Sequence, residues 1–340
     1  MSNGSANAVI FGCAGLELSA DERAFFRDAD PLGFILFARN VETPEQVRAL
    51  VADLRDAVGR ESAFVLIDQE GGRVARLRPP HWRAAPPAGR IGALYGRDEA
   101  AGLEAAHLNA RLLADELHDL GIDVDCAPVL DLLLPGAHDI IGDRAFGADP
   151  DAVAALGRAA CEGFMSGGVM PVIKHVPGHG RALQDSHKAL PVVATGLDEL
   201  DRTDFAPFRA LSDMPAAMTA HVVYSAIDPD AAATVSPTAI DDIIRKRIGF
   251  DGLLISDDLS MEALQGSLGS RAAAARRAGC DIVLHCNGVM GEMQQVVAEC
   301  APLSPDCDRR VQAARARLVR TPAPQDMVQR LATLLAETAS

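Results

Sequence analysis

The chain has 340 residues, with 32 basic and 47 acidic side chains and a formal net charge of −15. That balance argues against nucleic acid or an anionic membrane as partner, because both need a positive face. At 49% hydrophobic and 23% charged, the chain is neither disordered nor membrane-spanning, and it can bury a large core. The seven cysteines form no CxxC pair. They read as reduced, mostly buried thiols in a reducing compartment, and a soluble cytoplasmic protein is expected.

Short apolar runs punctuate the chain at 8–13, 33–37, 64–68, 124–130, 169–175, 216–222, 252–257 and 281–286. Near-continuous apolar character with β-branched residues is the mark of parallel strands buried on both faces. Between the first two runs, Ser19-Ala20-Asp21-Glu22 reads as a capping box ahead of Phe25 and Phe26. After the second, Thr43-Pro44-Glu45-Gln46 reads as another, leading into Val47, Leu50, Val51, Leu54 and Val58 at helical spacing. Further helices are expected over 99–120, stopped by Gly121, and over 150–166, 237–247 and 271–278. Two more, 306–319 and 325–338, follow the last run. No GxGxxG or GxxxxGK[ST] follows any run, so neither a dinucleotide site nor a P-loop is supported. The pattern predicts an α/β fold, a single (β/α)8 TIM-type barrel over 1–300 with a helical extension over 301–340 packed on it.

Five of the eight runs end in ionisable groups. They close as Asp68-Gln69-Glu70-Gly71-Gly72-Arg73, Asp131 with Asp143-Arg144 beyond, Lys174-His175-Val176-Pro177-Gly178-His179-Gly180, Thr219-Ala220-His221 and Ser256-Asp257-Asp258. In a barrel these ends converge on one face, where barrel enzymes carry their sites. Lys174 is one of only three lysines. Asp185-Ser186-His187 lies in the long connection after the fifth run. An aspartate two residues before a histidine can orient and charge-stabilise the imidazole. His175 and His179 have chelating spacing, but Pro177, Gly178 and Gly180 disfavour the helix a zinc pair would need. No metal or cofactor is expected. Adjacent Asp257 and Asp258 should point to opposite faces, with one facing the mouth.

The string Lys174 to Gly180 followed by Asp185-Ser186-His187 resembles the signature of β-N-acetylglucosaminidases of glycoside hydrolase family three. Asp68-Gln69-Glu70-Gly71-Gly72-Arg73-Val74, Asp125 to Asp131, Met218 to Val222 and Gly249-Phe250-Asp251-Gly252 leading into Ser256 to Met261 resemble further blocks. They run in order over most of the chain, and the extent is similar to single-domain bacterial enzymes that recycle peptidoglycan. The resemblance implies Asp257 as nucleophile, His187 as general acid/base and Asp185 as its partner. It implies Asp68, Arg76, Arg144, Lys174 and His175 as sugar-binding residues.

It also implies a retaining exo-β-N-acetylglucosaminidase acting on terminal non-reducing β-linked GlcNAc, with GlcNAc-1,6-anhydroMurNAc-peptides as substrate. A histidine acid/base would not repel phosphate, so a phosphorylase is an alternative. A catalytically silent sugar-binding protein or a metal-dependent barrel hydrolase are others. Low aromatic content, 4% with the sole tryptophan Trp82, favours one pocketed sugar over a long polysaccharide groove. The expected partner is a small sugar or muropeptide and the expected state a monomer. None of the seven cysteines is expected in the site.

Overall fold

The computed structural model describes residues 6–134, 136, 139–182, 190–323 and 325–336. Strand β1 (Asn7–Gly12) leads into helix α1 (Ala20–Ala29), and β2 (Pro31–Leu36) into α2 (Pro44–Ala57). β3 (Phe64–Ile67) precedes α3 (Ala88–Tyr95) and α4 (Glu99–His118); β4 (Val124–Asp125) precedes α5 (Pro150–Ser166). After β5 (Met170–Val176) come β6 (Val192–Val193), α6 (Leu197–Arg202) and α7 (Ala206–Ala210). β7 (Ala216–Thr219) is followed by β8 (Val223–Tyr224) and a wide helical segment, Ala239–Ile248. β9 (Leu253–Asp258) leads into α8 (Leu268–Ala278), and β10 (Ile282–His285) into α9 (Met290–Val297). α10 (Pro305–Ala316) and α11 (Met327–Ala336) close the order.

Among the described residues, eight parallel strands close into a barrel in the order β1-β10-β9-β7-β5-β4-β3-β2. Each predicted run supplies one of these strands, so the TIM-type barrel is the observed fold. β6 and β8 form a separate two-stranded ribbon. The strand residues face two apolar layers. One fills the barrel, with Ile10, Leu66, Val172 and Ile255; the other, with Val9, Val65, Ile173 and Leu254, lies under the helices. That alternation is why the runs carry no polar face.

The Ser19 box is complete: Ser19 Oγ accepts from Glu22 N and Glu22 Oε2 from Ser19 N. The Thr43 box is half made. Thr43 Oγ1 accepts from Gln46 N, but the Gln46 side chain accepts from Glu42 N and donates to Leu16 and Asn40 carbonyls. α10 covers the barrel floor: Cys307, Val311 and Ala314 pack on the inner layer, and Arg310 pairs with Asp281 at 2.8 Å. α11 lies against α3 and α4. No helix among the described residues is long and apolar enough to cross a membrane.

Candidate active site

The C-terminal ends of the strands open into a cleft of about 380 Å³. Asp68, Arg76, Arg144, Lys174, His175 and Asp257 all line it. Asp185 and His187 lie outside the described residues.

One wall is a charge cluster built around Lys174 on β5. Its side chain is 2% exposed, and Nζ lies 2.8 Å from Asp68 Oδ1 and 2.7 Å from Glu70 Oε1. Arg76 donates to Asp68 Oδ2 at 3.1 Å. Arg144 grips Glu70 with two bonds of 2.8 Å, the bidentate fork that guanidinium geometry favours. Burial would raise the Asp68 carboxyl, but Lys174 and Arg76 outweigh it and hold the group well below the usual range. The same contest, won by Lys174 and Arg144, depresses Glu70. Both are therefore anionic, and Lys174 is held as a cation by the two carboxylates against the effect of burial.

Local chain geometry sets these groups. Gly71 and Gly72 have φ of 99° and 55°, the left-handed region, and a Cβ on Gly71 would sit 2.4 Å from the Pro86 carbonyl oxygen. Buried Gln69 then ties the returning chain. Its Oε1 accepts from Arg76 N at 2.7 Å and Leu77 N at 3.0 Å, and its Nε2 donates to the Leu77 carbonyl at 2.9 Å. Arg76 is thereby delivered to Asp68. Arg73 also lines the cleft and donates to the Ile140 and Ile141 carbonyls.

A second cluster centres on fully buried Asp131. Its Oδ2 takes a bond from His175 Nδ1 at 2.6 Å, and Oδ1 accepts from His175 N at 3.2 Å and His179 N at 2.6 Å. His175 thus carries its ring proton on Nδ1, leaving Nε2 as its other donor-acceptor position. Burial, followed by the neighbouring His175, pushes the His179 imidazole down to about 4.

Asp257 stands at the end of β9. Burial raises its carboxyl, and the groups facing it, His221, His175, the Asp258 N–H and Lys174, more than offset this. Asp258 also borders the cleft, against the expectation that only one of the pair faces it. The strand ends there, and the Asp258 carboxylate folds back to accept from Ser260 N at 3.0 Å and Cys286 N at 3.2 Å. Cys286 lines the cleft too, correcting the expectation that no cysteine would. Its thiol is pushed well up by burial, so it is no nucleophile near neutrality.

Glu70, Asp131 and Cys286 are among the site groups that sequence reasoning did not select. Glu70 and Asp131 stood in the quoted strings, but their partners Arg144 and His175 are 74 and 44 residues away. Beneath the cluster, Asp125 is pushed up to about 8, mainly by burial. Its Oδ1 accepts from Gln69 N at 2.9 Å, and Oδ2 has no hydrogen-bond partner among the described residues. A carboxyl raised above its unfolded value costs stability as pH climbs from about 4 to about 8. Asp125→Asn keeps the acceptor and removes that titration. Its stability relative to wild type should improve by about 3 kcal/mol between pH 5 and pH 8. Denaturant melts at the two pH values measure this; a pH-independent difference would place Asp125 in the charged form.

Residues 12–321 match the glycosyl hydrolase family 3 N terminal domain. A beta-hexosaminidase of Alkalilimnicola ehrlichii is 43% identical over 283 residues, 82% of this chain and 80% of the relative. One of Aromatoleum aromaticum is 39% identical over 315 residues, 91% of this chain and 87% of the relative. Native NagZ from Neisseria gonorrhoeae has a similar fold, with a TM-score of 0.87 and 33% identity over 100% of both chains. A family 3 beta-N-acetylglucosaminidase from Paenibacillus gives 0.84 and 31%, covering 98% of this chain and 68% of its own. With the family domain matched over most of its length and two close relatives of the same activity, the chain belongs to glycosyl hydrolase family 3 and is a glycoside hydrolase of the β-N-acetylhexosaminidase class.

Proposed function

We infer that the chain is a retaining exo-β-N-acetylglucosaminidase. It removes terminal non-reducing GlcNAc from GlcNAc-1,6-anhydroMurNAc and its peptides in cytoplasmic cell-wall recycling. The observation that carries this reading is the convergence of Asp257 with Asp68, Arg76, Arg144, Lys174 and His175 on one cleft. Residues 1–300 form the catalytic barrel in this reading, and 301–340 brace it.

Asp257 attacks C1 of the sugar while His187, oriented by Asp185, protonates the leaving oxygen. Water then enters with His187 as base and releases the β-anomer. Imidazole, with an ordinary pKa near 6.5, suits a proton shuttle at neutral pH. Asp68 accepts from sugar hydroxyls, and Lys174, Arg144, Arg76 and His175 surround them. Metals have no role in these steps.

The test is hydrolysis of GlcNAc-1,6-anhydroMurNAc-peptide beside an aryl N-acetyl-β-glucosaminide, followed by NMR. Initial release of β-GlcNAc, unchanged by chelator or phosphate, is expected. Initial α-GlcNAc would overturn the retaining mechanism. A sugar 1-phosphate formed in phosphate buffer would make the enzyme a phosphorylase.

A further inference from the structure

We propose that His221, Thr234 and Thr219 form a hydrogen-bonded brace that fixes the backbone of Asp257 and Asp258, and with it the approach of the Asp257 carboxylate to substrate. The proposal rests on the reading of Asp257 as nucleophile.

Thr219 ends β7, and His221 follows two residues later. A short helical turn, Ala233–Val235, brings Thr234 behind them. All three side chains are fully buried, and none lines the cleft. They can therefore reach the chemistry only through another group, which makes them positioning residues.

The donors and acceptors can be assigned in sequence. His221 Nε2 lies 2.9 Å from the Asp258 carbonyl oxygen, which only accepts, so Nε2 carries the proton. Burial pushes the His221 pKa down, so the ring is neutral and Nδ1 is an acceptor. Thr234 Oγ1, 2.7 Å away, donates to it. That spends the single Thr234 proton. Thr219 Oγ1, at 2.8 Å, must then donate to Thr234. Thr219 Oγ1 remains free to accept from Asp257 N at 3.3 Å. The series begins at the Asp258 carbonyl and ends at the Asp257 N–H, and the buried Cys280 thiol lies beside the Thr219 hydroxyl. The Ala220 carbonyl, 3.1 Å from Thr234 Oγ1, is the other destination for the Thr234 proton and would take it only if His221 were charged.

Losing the Thr219 hydroxyl removes the hold on the Asp257 N–H, and losing the Thr234 hydroxyl leaves His221 Nδ1 without its donor and frees the tautomer that holds the Asp258 carbonyl, so each loss loosens one end of the brace. Asp257 itself hydrogen-bonds through Oδ1 to Asp258 N at 2.8 Å, so a shift in this dipeptide moves the carboxylate directly.

Thr234→Val and Thr219→Val remove the hydroxyls with little change of volume, and Thr234→Ser and Thr219→Ser restore them. With rates normalised to the folded fraction, the valine variants should lose between 10- and 100-fold in kcat, about the cost of a misplacement near 1 Å. KM for an aryl N-acetyl-β-glucosaminide should stay within about threefold, because the sugar-binding side chains are untouched. The serine variants should recover kcat to within about threefold of wild type. Wild-type kcat in the folded valine variants, or failure of serine to rescue, overturns the brace. Should Thr234→Val not fold, Thr219→Val and its serine partner decide by the same criteria. Asp257→Ala is assayed alongside. If it stays active, the nucleophile reading fails; if it is dead while the valine variants are normal, the brace alone fails.

Discussion

Asp257→Ala is expected to fold as the wild type does and to lose turnover of an aryl N-acetyl-β-glucosaminide by on the order of 10⁴-fold. The size follows from the lack of a substitute. The adjacent Asp258 carboxylate is committed to Ser260 and Cys286 and packs toward β10. Asp68 and Glu70 are neutralised by the cations gripping them. Among the described residues, no other carboxylate lining the cleft is both charged and available to C1. Added azide should restore part of the rate, entering the face that Asp257 vacates and yielding the α-glycosyl azide, the anomer opposite to the normal product. Turnover near wild type without azide would remove Asp257 from the mechanism.

The second large effect concerns Lys174. Lys174→Met fills much of the same volume but leaves Asp68 and Glu70 facing each other across a buried gap. Removing one partner of a buried ion cluster costs about 3–5 kcal/mol; here Asp68 and Glu70 lose the ammonium between them and keep one guanidinium each. The loss should appear as a lower denaturant midpoint at pH 7 and a failure to bind GlcNAc. It should also shrink in acid. Asp68 and Glu70 are depressed carboxylates, so the stability they contribute in the wild type is present above about pH 4 and fades as pH falls through their folded values. The variant, left with Arg76 and Arg144 alone against the two carboxylates, has less of this stabilisation to lose. A stable but inactive Lys174→Met single variant would mean that the cluster serves the sugar alone.

The barrel was legible because its strands are buried on two faces, which makes each a continuous apolar run. The helices were read where a cap or a clear stripe announced them. α3 begins after Pro87 with no side-chain cap, and its sequence, AGRIGALY, carries two glycines that weaken helical propensity. α6 and α7 are only 6 and 5 residues long, too short for a period to show. α9 lacks a side-chain cap as well.

The site divides along the same lines. Strand-end residues were visible because a charge after an apolar run is conspicuous. The pairings were not, because Arg144 reaching Glu70 and Asp131 reaching His175 are facts of the closed barrel, with no signature in spacing. Cys286 was hidden by the apolar run it terminates. The second aspartate at β9 was misjudged because strand alternation ends with the strand.

The cluster around Lys174 has one more consequence, for the response to salt. Three cations, Arg76, Arg144 and Lys174, face two carboxylates, Asp68 and Glu70, at contact distance and largely out of solvent. Each carboxylate is matched by cations before any ligand arrives, with one positive charge in excess, and buried charges at such distances are barely screened by dissolved ions. In the proposed function an uncharged sugar therefore enters a pocket made of ions without breaking any ion pair to a counter-ion from solution. Its affinity is insulated from the ionic strength of the surroundings, although the molecule outside the cleft carries a net charge of −15.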